Sequence, residues 1–230
     1  MPKYPIVLFD ADNTLFDFYR AEREALCEAL TALDVTVDAG MVAAYSAINE
    51  GFWKKLECGE ISKSELRVAR FAAFFDSYGI QRDVERMART YTDILSTKGH
   101  LLPDALSVCQ TLAKHCRLHI ITNGISSVQR GRFEPSVLRD LFCDMFVSEE
   151  LGFEKPRREY FEAVAAAIPG FSPEKALVIG DSLTSDIKGG IYAGIDTCWY
   201  NPKGKEAPAD MPITYVVSQL KDVIPLVLGE

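Results

Sequence analysis

The chain has 230 residues, 48% of them hydrophobic and 25% charged, with a formal charge of −8 and a pI near 5.0. This is the composition of a globular protein with a real core, long enough for one large domain or for a domain carrying an insertion. It argues against a nucleic-acid polymer as partner, which would demand clustered Lys and Arg, and leaves room for a small phosphorylated molecule held by a local cation.

The first predicted element is a strand over 5–9, PIVLF, an apolar run of the buried parallel type. It ends in Asp10, and Asp12 and Thr14 follow at steps of two. From Tyr19 to about Leu95 the rhythm is helical. Leu26, Leu30 and Leu33 recur at helical spacing, as do Met41, Tyr45, Ile48, Phe52 and Leu56. Ser62 with Glu65 reads as a capping box opening a third helix, and Val84, Met87, Tyr91, Ile94 and Leu95 mark a fourth.

After LLPDA, strands and helices alternate. A helix over 104–114 leads to the strand 117–122 (RLHIIT), then the polar turn Thr122-Asn123-Gly124 and a helix over 125–139. A strand at 144–148, a helix at 158–168, the strand KALVIG and a helix near 184–193 follow. The strands IDTCWY and ITYVV and the helix SQLKDVIPLVL close the chain. This alternation predicts an α/β fold built on a doubly wound parallel sheet, with its active site at the carboxyl ends of the strands. The helical block is an insertion at that same end and can act as a lid. The expected domains are a catalytic core of residues 1–18 and 97–230 and a four-helix cap of 19–96.

Cys27, Cys58, Cys109, Cys116, Cys143 and Cys198 are scattered with no C-x-x-C pair, as free thiols of a reducing compartment would be. The Met1 start lacks the pattern of a signal peptide, and no run approaches the roughly 18 apolar residues of a membrane helix. A soluble cytoplasmic protein without a membrane partner is expected.

Four polar signals lie just beyond apolar strands: Asp10-x-Asp12-x-Thr14, Thr122-Asn123-Gly124, Lys155-Pro156, and Gly180-Asp181 with Asp186 five residues on. Each alone has an ordinary reading as a turn, a helix cap or a solvated charge. Their occurrence together, in order and each at a strand end, is what carries information. In this arrangement the chain resembles the haloacid dehalogenase-like (HAD) hydrolase superfamily, with a Rossmann-like core and a helical cap inserted after the first motif. FDADNTLFDF, FWKKLECGEISKSELRVARF, VSEELGFEKP and GDSLTSDIKGGIYAGIDTCWYNP are similar to its pyrimidine 5′-nucleotidase branch.

The resemblance implies a phosphatase working through an aspartyl-phosphate. Asp10 is then the nucleophile. Asp12, on the same side in extended geometry, is the general acid and base, kept protonated for the first step by the crowd of carboxylates. The implied cofactor is Mg²⁺, with Mn²⁺ as the alternative, because a hard cation relieves converging carboxylates. Its implied ligands are the carboxylates of Asp10 and Asp181 and the main-chain carbonyl of Asp12, with Asp186 supporting. Lys155, Thr122, Asn123 and Gly124 would bind the phosphoryl oxygens.

Phe18 and Tyr19, just beyond the first motif, are the candidates for stacking a flat base. Phe52, Trp53, Phe71, Phe74 and Phe75 read as cap core. The expected substrate is a small phosphorylated metabolite, a nucleoside 5′-monophosphate by branch resemblance. The rivals are a sugar phosphate or phosphoglycolate phosphatase, a phosphomutase, and a receiver-like phospho-aspartate signalling module. Receiver modules are smaller and lack a large insertion after the first strand. Asp12 argues against dehalogenation, since expelling halide from carbon requires no acid for an alkoxide.

Overall fold

Asp38, Ser62 and Asp83 each accept a backbone N–H through the side chain, from Met41, Glu65 and Arg86, and each opens a helix. Ser62 and Glu65 close the full capping box. These helices belong to one of two compact units in a computed structural model that describes residues 2–230. The helical unit, Phe18–Lys98, comprises α1 (Phe18–Thr31), α2 (Ala39–Glu57), α3 (Lys63–Tyr78) and α4 (Val84–Leu95). Its centre is aromatic. Tyr45 stacks on Phe71 with ring centroids 5.1 Å apart and meets Phe74 edge-on at 5.6 Å. A buried polar network runs beside these rings: Glu22 accepts from Ser46 and Asn49, and Arg70 donates to Asn49. These bonds satisfy part of the buried polar set, and the Arg70 guanidinium also lies 5.0 and 5.1 Å from the Phe71 and Tyr91 ring centroids.

The second unit holds the remaining chain, up to Asp17 and again from Gly99. Its strands are β1 (Ile6–Asp10), β2 (Arg117–Thr122), β3 (Asp144–Val147), β4 (Ala176–Gly180), β5 (Asp196–Tyr200) and β6 (Tyr215–Val217). Its helices are α5 (Ala105–Leu112), α6 (Ser126–Phe133), α7 (Ser148–Leu151), α8 (Arg158–Ala167), α9 (Lys188–Tyr192) and α10 (Val223–Leu228). The sheet is wholly parallel, in the order β3-β2-β1-β4-β5-β6. The alternation of side chains along each strand builds a core on both faces. Val7, Phe9, Leu118, Ile120, Leu177 and Ile179 pack with α5 and α10, whereas Ile6, Leu8, Ile121 and Val178 pack with α8.

The chain steps outward from β1 to β3 and then returns to the far side of β1 as β4. The strand order therefore reverses between β1 and β4, the place where open parallel sheets form a crevice at their carboxyl ends. Register brings the ends level: Asp10 pairs with Ile121, and Phe9 with Ile179.

Two predicted helices differ in detail. The helix expected over 125–139 ends at Phe133, because Pro135 has no N–H to donate to the preceding turn. The helix expected near 184–193 begins as a π-helical turn, Leu183–Ile187, before α9. There the Ile187 N–H reaches back to the Ser182 carbonyl, widening the turn that carries Asp186. The strand expected at 144–148 stops at Val147, and Ser148 opens the single turn α7.

Candidate active site

The candidate residues of the α/β unit gather at the strand ends flanking the switch point. Asp10 is the last residue of β1, Thr122 the last of β2, and Asp181 follows β4 directly. Lys155 is the hub. Its side chain is 1% exposed, and its ammonium donates to Asp10 Oδ1 at 2.8 Å, Asp186 Oδ1 at 2.6 Å and the Ile121 carbonyl at 3.0 Å. An ammonium has three N–H donors, and all three are used.

Asp186 spends its second oxygen on the Ser182 N–H at 3.1 Å. It lies against Gly180, where a Cβ would stand 2.2 Å from Asp186 Oδ2. The glycine of the Gly180-Asp181 motif is thus the space that the Asp186 carboxylate fills. The Asp181 backbone is held from β5 by the Trp199 indole N–H, 2.9 Å from its carbonyl.

Carboxylate oxygens of Asp10, Asp181 and Asp186 all lie within 4.8 Å of one another. Burial first, then the Asp186 carboxylate, push the Asp10 carboxyl well above the ordinary carboxylate range, against the pull of Lys155. The same causes raise Asp181 to about 7. Burial alone would lower Lys155, but Asp10 and Asp186 outweigh it and hold the ammonium above the ordinary lysine value. With all three carboxyls ionised, three negative charges face one ammonium, and two remain uncompensated. An all-oxygen set with that surplus fits a hard divalent cation. Asp10 and Asp181 are the stronger ligand candidates, because both Asp186 oxygens already hold protein donors.

The residues after β2 have a different arrangement from simple donors awaiting an anion. Thr122 Oγ1 accepts the Gly124 N–H at 3.0 Å, and the Thr122 N–H donates to the Tyr160 hydroxyl. Both ends of the Asn123 carboxamide engage the Lys155 backbone: Nδ2 donates to its carbonyl, and Oδ1 accepts its N–H, each at 2.8 Å. Asp12 lies outside the Asp10–Asp181–Asp186 triple, although its charge, after burial and Asp186, also raises Asp181. Arg132 Nη2 donates to its Oδ1 at 2.7 Å and Gln129 Nε2 to its Oδ2 at 2.7 Å.

Gln129, Arg132, Tyr160 and Trp199 were not singled out from the sequence. Gln129 and Arg132 lie three apart on the helix after Thr122-Asn123-Gly124 and both face inward, a burial that nothing in the sequence marks. Phe18 and Tyr19 belong to the helical unit, in the first turn of α1, where Tyr19 is exposed and Phe18 half-buried. Phe71, Phe74 and Phe75 are interior to that unit, while Phe52 and Trp53 are half-buried.

Comparison with known proteins shows the family. The chain matches the family model "haloacid dehalogenase-like hydrolase" over residues 4–194. It is 39% identical to pyrimidine 5′-nucleotidase PynA of Streptococcus pneumoniae, over 96% of this chain and 94% of that one. It is 30% identical to pyrimidine 5′-nucleotidase YjjG of Escherichia coli, over 96% of each. A structure of the HAD-hydrolase YfnB of Bacillus subtilis, bound to magnesium, superposes with a TM-score of 0.93 at 38% identity, covering 98% of this chain and 99% of that one. Among the described residues no helix is long and apolar enough to cross a membrane. With its sheet order and its family match in agreement, the chain belongs to the haloacid dehalogenase-like hydrolases.

Proposed function

We propose that the protein is a Mg²⁺-dependent phosphatase that hydrolyses nucleoside 5′-monophosphates, pyrimidine nucleotides foremost, through an aspartyl-phosphate on Asp10. The observation that carries this reading is the Asp10 carboxylate itself. It stands at the end of β1, 2.8 Å from the buried Lys155 ammonium and within 4.8 Å of two further carboxylates.

In the first step an Asp10 oxygen bonds to phosphorus as the bond from phosphorus to the nucleoside O5′ breaks, and Asp12 gives its proton to the departing oxygen. In the second, Asp12, now a carboxylate, takes a proton from water as that water attacks phosphorus. The bond to Asp10 breaks, and inorganic phosphate and the free carboxylate result. Lys155 neutralises the nucleophile's neighbourhood and orients its carboxylate throughout. The Thr122 hydroxyl, oriented by the Gly124 N–H that it accepts, is the proposed donor to phosphoryl oxygens. Asn123 serves that group by holding the Lys155 backbone. Mg²⁺, bound by the Asp10 and Asp181 carboxylates and the Asp12 carbonyl with Asp186 in support, supplies charge neutralisation for the phosphoryl group.

The nucleotide preference rests on PynA and YjjG, both pyrimidine 5′-nucleotidases. In the proposal the helical unit is the cap, and Phe18 and Tyr19 are the residues that select the base. The six cysteines are all free, which supports a reducing, cytoplasmic setting.

A phosphate-release panel tests the reading. UMP and dTMP should be hydrolysed at least about tenfold faster than sugar phosphates, and EDTA should abolish turnover. Equal rates across the panel overturn the nucleotide preference. Undiminished turnover in EDTA overturns the metal dependence, and no phosphate release from any ester overturns the phosphatase.

A further inference from the structure

We propose that Gln129 and Arg132 are positioning residues that fix the Asp12 carboxylate for proton transfer, an inference that rests on reading Asp12 as the general acid and base. The three side chains close a ring. Arg132 Nη2 donates both to Asp12 Oδ1 at 2.7 Å and to Gln129 Oε1 at 2.8 Å, and Gln129 Nε2 donates to Asp12 Oδ2 at 2.7 Å. The ring leaves the Gln129 amide one orientation. Reversed, it would set donor against guanidinium and acceptor against carboxylate.

Three segments of the α/β unit are shaped to this contact. Gln129 and Arg132 lie three apart on α6, hence on one face of the helix, and are 2% and 1% exposed. The turn after β2 makes room, since a Cβ on Gly124 would stand 1.9 Å from Gln129 Nε2. The turn after β1 supplies Asp12 and also Phe16, whose buried ring lies 5.5 Å from the Arg132 guanidinium. Taking a guanidinium out of water costs several kcal/mol unless its partners are well placed. Here a principal partner is a carboxylate that is itself a quarter exposed.

Each Asp12 oxygen accepts one of these bonds. A carboxyl group offers about four oxygen positions, so each oxygen retains one, which carries the proton given to the departing alkoxide in the first step and accepts the proton of the incoming water in the second. A carboxylate already fixed in direction need not search its rotamers at each turnover, which is the advantage of positioning. A purely structural ring, tying α6 to the turn after β1, would stabilise the fold without affecting proton transfer. The two roles separate on the leaving group. A nucleoside alkoxide must be protonated as it departs, whereas p-nitrophenolate leaves unaided.

The experiment measures kcat/KM, which covers the steps through departure of the alcohol, for UMP and p-nitrophenyl phosphate. The proteins are wild type, Gln129→Met, Arg132→Lys and Asp12→Asn, all with Mg²⁺. General acid catalysis is worth about 10²–10⁴-fold, and misdirecting the acid should forfeit part of it. Gln129→Met and Arg132→Lys should lose about 10–100-fold on UMP and less than about threefold on p-nitrophenyl phosphate. Equal losses on both esters, or none, with Asp12→Asn still showing the split, overturn the positioning role alone. Absence of the split in Asp12→Asn overturns the role of Asp12, and a wild type inactive on both esters overturns the proposed phosphatase. Gln129→Met keeps the buried charge pair of Arg132 and Asp12, so it decides the matter if Arg132→Lys does not fold.

Discussion

Asn123 grips Lys155 by both sides of its backbone, accepting the Lys155 N–H and donating to the Lys155 carbonyl at 2.8 Å each. The side chain of Lys155 in turn reaches Asp10, 2.8 Å from its ammonium. Position therefore passes from the end of β2, through one carboxamide, to the charge beside the proposed nucleophile. Asn123→Asp keeps the acceptor but sets a carboxylate oxygen against the Lys155 carbonyl. It should lower kcat on UMP by about 10–100-fold, the scale of a displaced electrostatic group. Asn123→Ala should do less harm, because it leaves no repulsion. Equal activity of Asn123→Asp and wild type in a steady-state assay would sink the idea.

Removing the ammonium should cost stability as well as rate. Lys155 bonds Asp10 and Asp186, both buried, and Lys155→Met would leave those carboxylates without their cation. Breaking a buried pair costs about 3–5 kcal/mol. At about 2–4 °C per kcal/mol for a chain of this size, Tm should fall by roughly 6–20 °C in EDTA. Mg²⁺ should recover part of that loss, since a divalent cation relieves the same repulsion. Thermal melts with and without the metal check both halves, and an unchanged Tm in EDTA would contradict the pairing.

Gly180→Ala tests the space behind the second carboxylate. Its Cβ would lie 2.2 Å from Asp186 Oδ2 and 2.4 Å from Cγ, so Asp186 must swing away from Lys155 or the turn must shift. We expect a Tm drop of several degrees and at least about a tenfold loss in kcat/KM. Gly180→Ala with wild-type kinetics and Tm would show that Asp186 tolerates displacement.

The order of strands and helices was readable because each apolar run here is short and bounded by polar turns, as in PIVLF before Asp10 and KALVIG before Asp181. The capping box at Ser62 and Glu65 was readable because it is a local bargain between residues three apart. Asp10, Asp12 and Asp181 drew notice because charge at or just past the end of a buried strand is anomalous, whereas Lys155, in the turn after α7, was legible only through its order among the other motifs. What stayed hidden depends on distant contact. Gln129 meets Asp12 across 117 positions of sequence, and nothing local marks a glutamine that faces inward. Asn123 read as a donor for phosphate, and nothing in the sequence signals that its amide also holds the Lys155 backbone, 32 residues away. The π-helical turn at Leu183–Ile187 was likewise invisible, since its residues have ordinary helical spacing and the widening follows from the Ser182 bonds.

The last prediction concerns acid. Burial and Asp186 raise the Asp181 carboxyl from 3.8 to about 7 in the folded, metal-free protein. The folded state therefore binds this proton more tightly than the unfolded chain does. The resulting penalty is full above about pH 7, shrinks as pH falls, and vanishes below about pH 4, where both states are protonated. In EDTA, lowering the pH from about 7.5 to about 5.5 should raise the Tm of the wild type relative to Asp181→Asn by a few degrees. Asp10 is raised in the same direction, by burial first and in part by the Asp181 charge, so Asp181→Asn removes that push as well and the difference between the two proteins reports both effects. In the proposed site Mg²⁺ would bind the ionised carboxylates, so its stabilising effect should weaken over the same interval as protons compete for Asp181. Differential scanning fluorimetry across that range, with and without the metal, measures both slopes. Identical pH slopes for wild type and Asp181→Asn in EDTA would remove Asp181 from the titrating cluster.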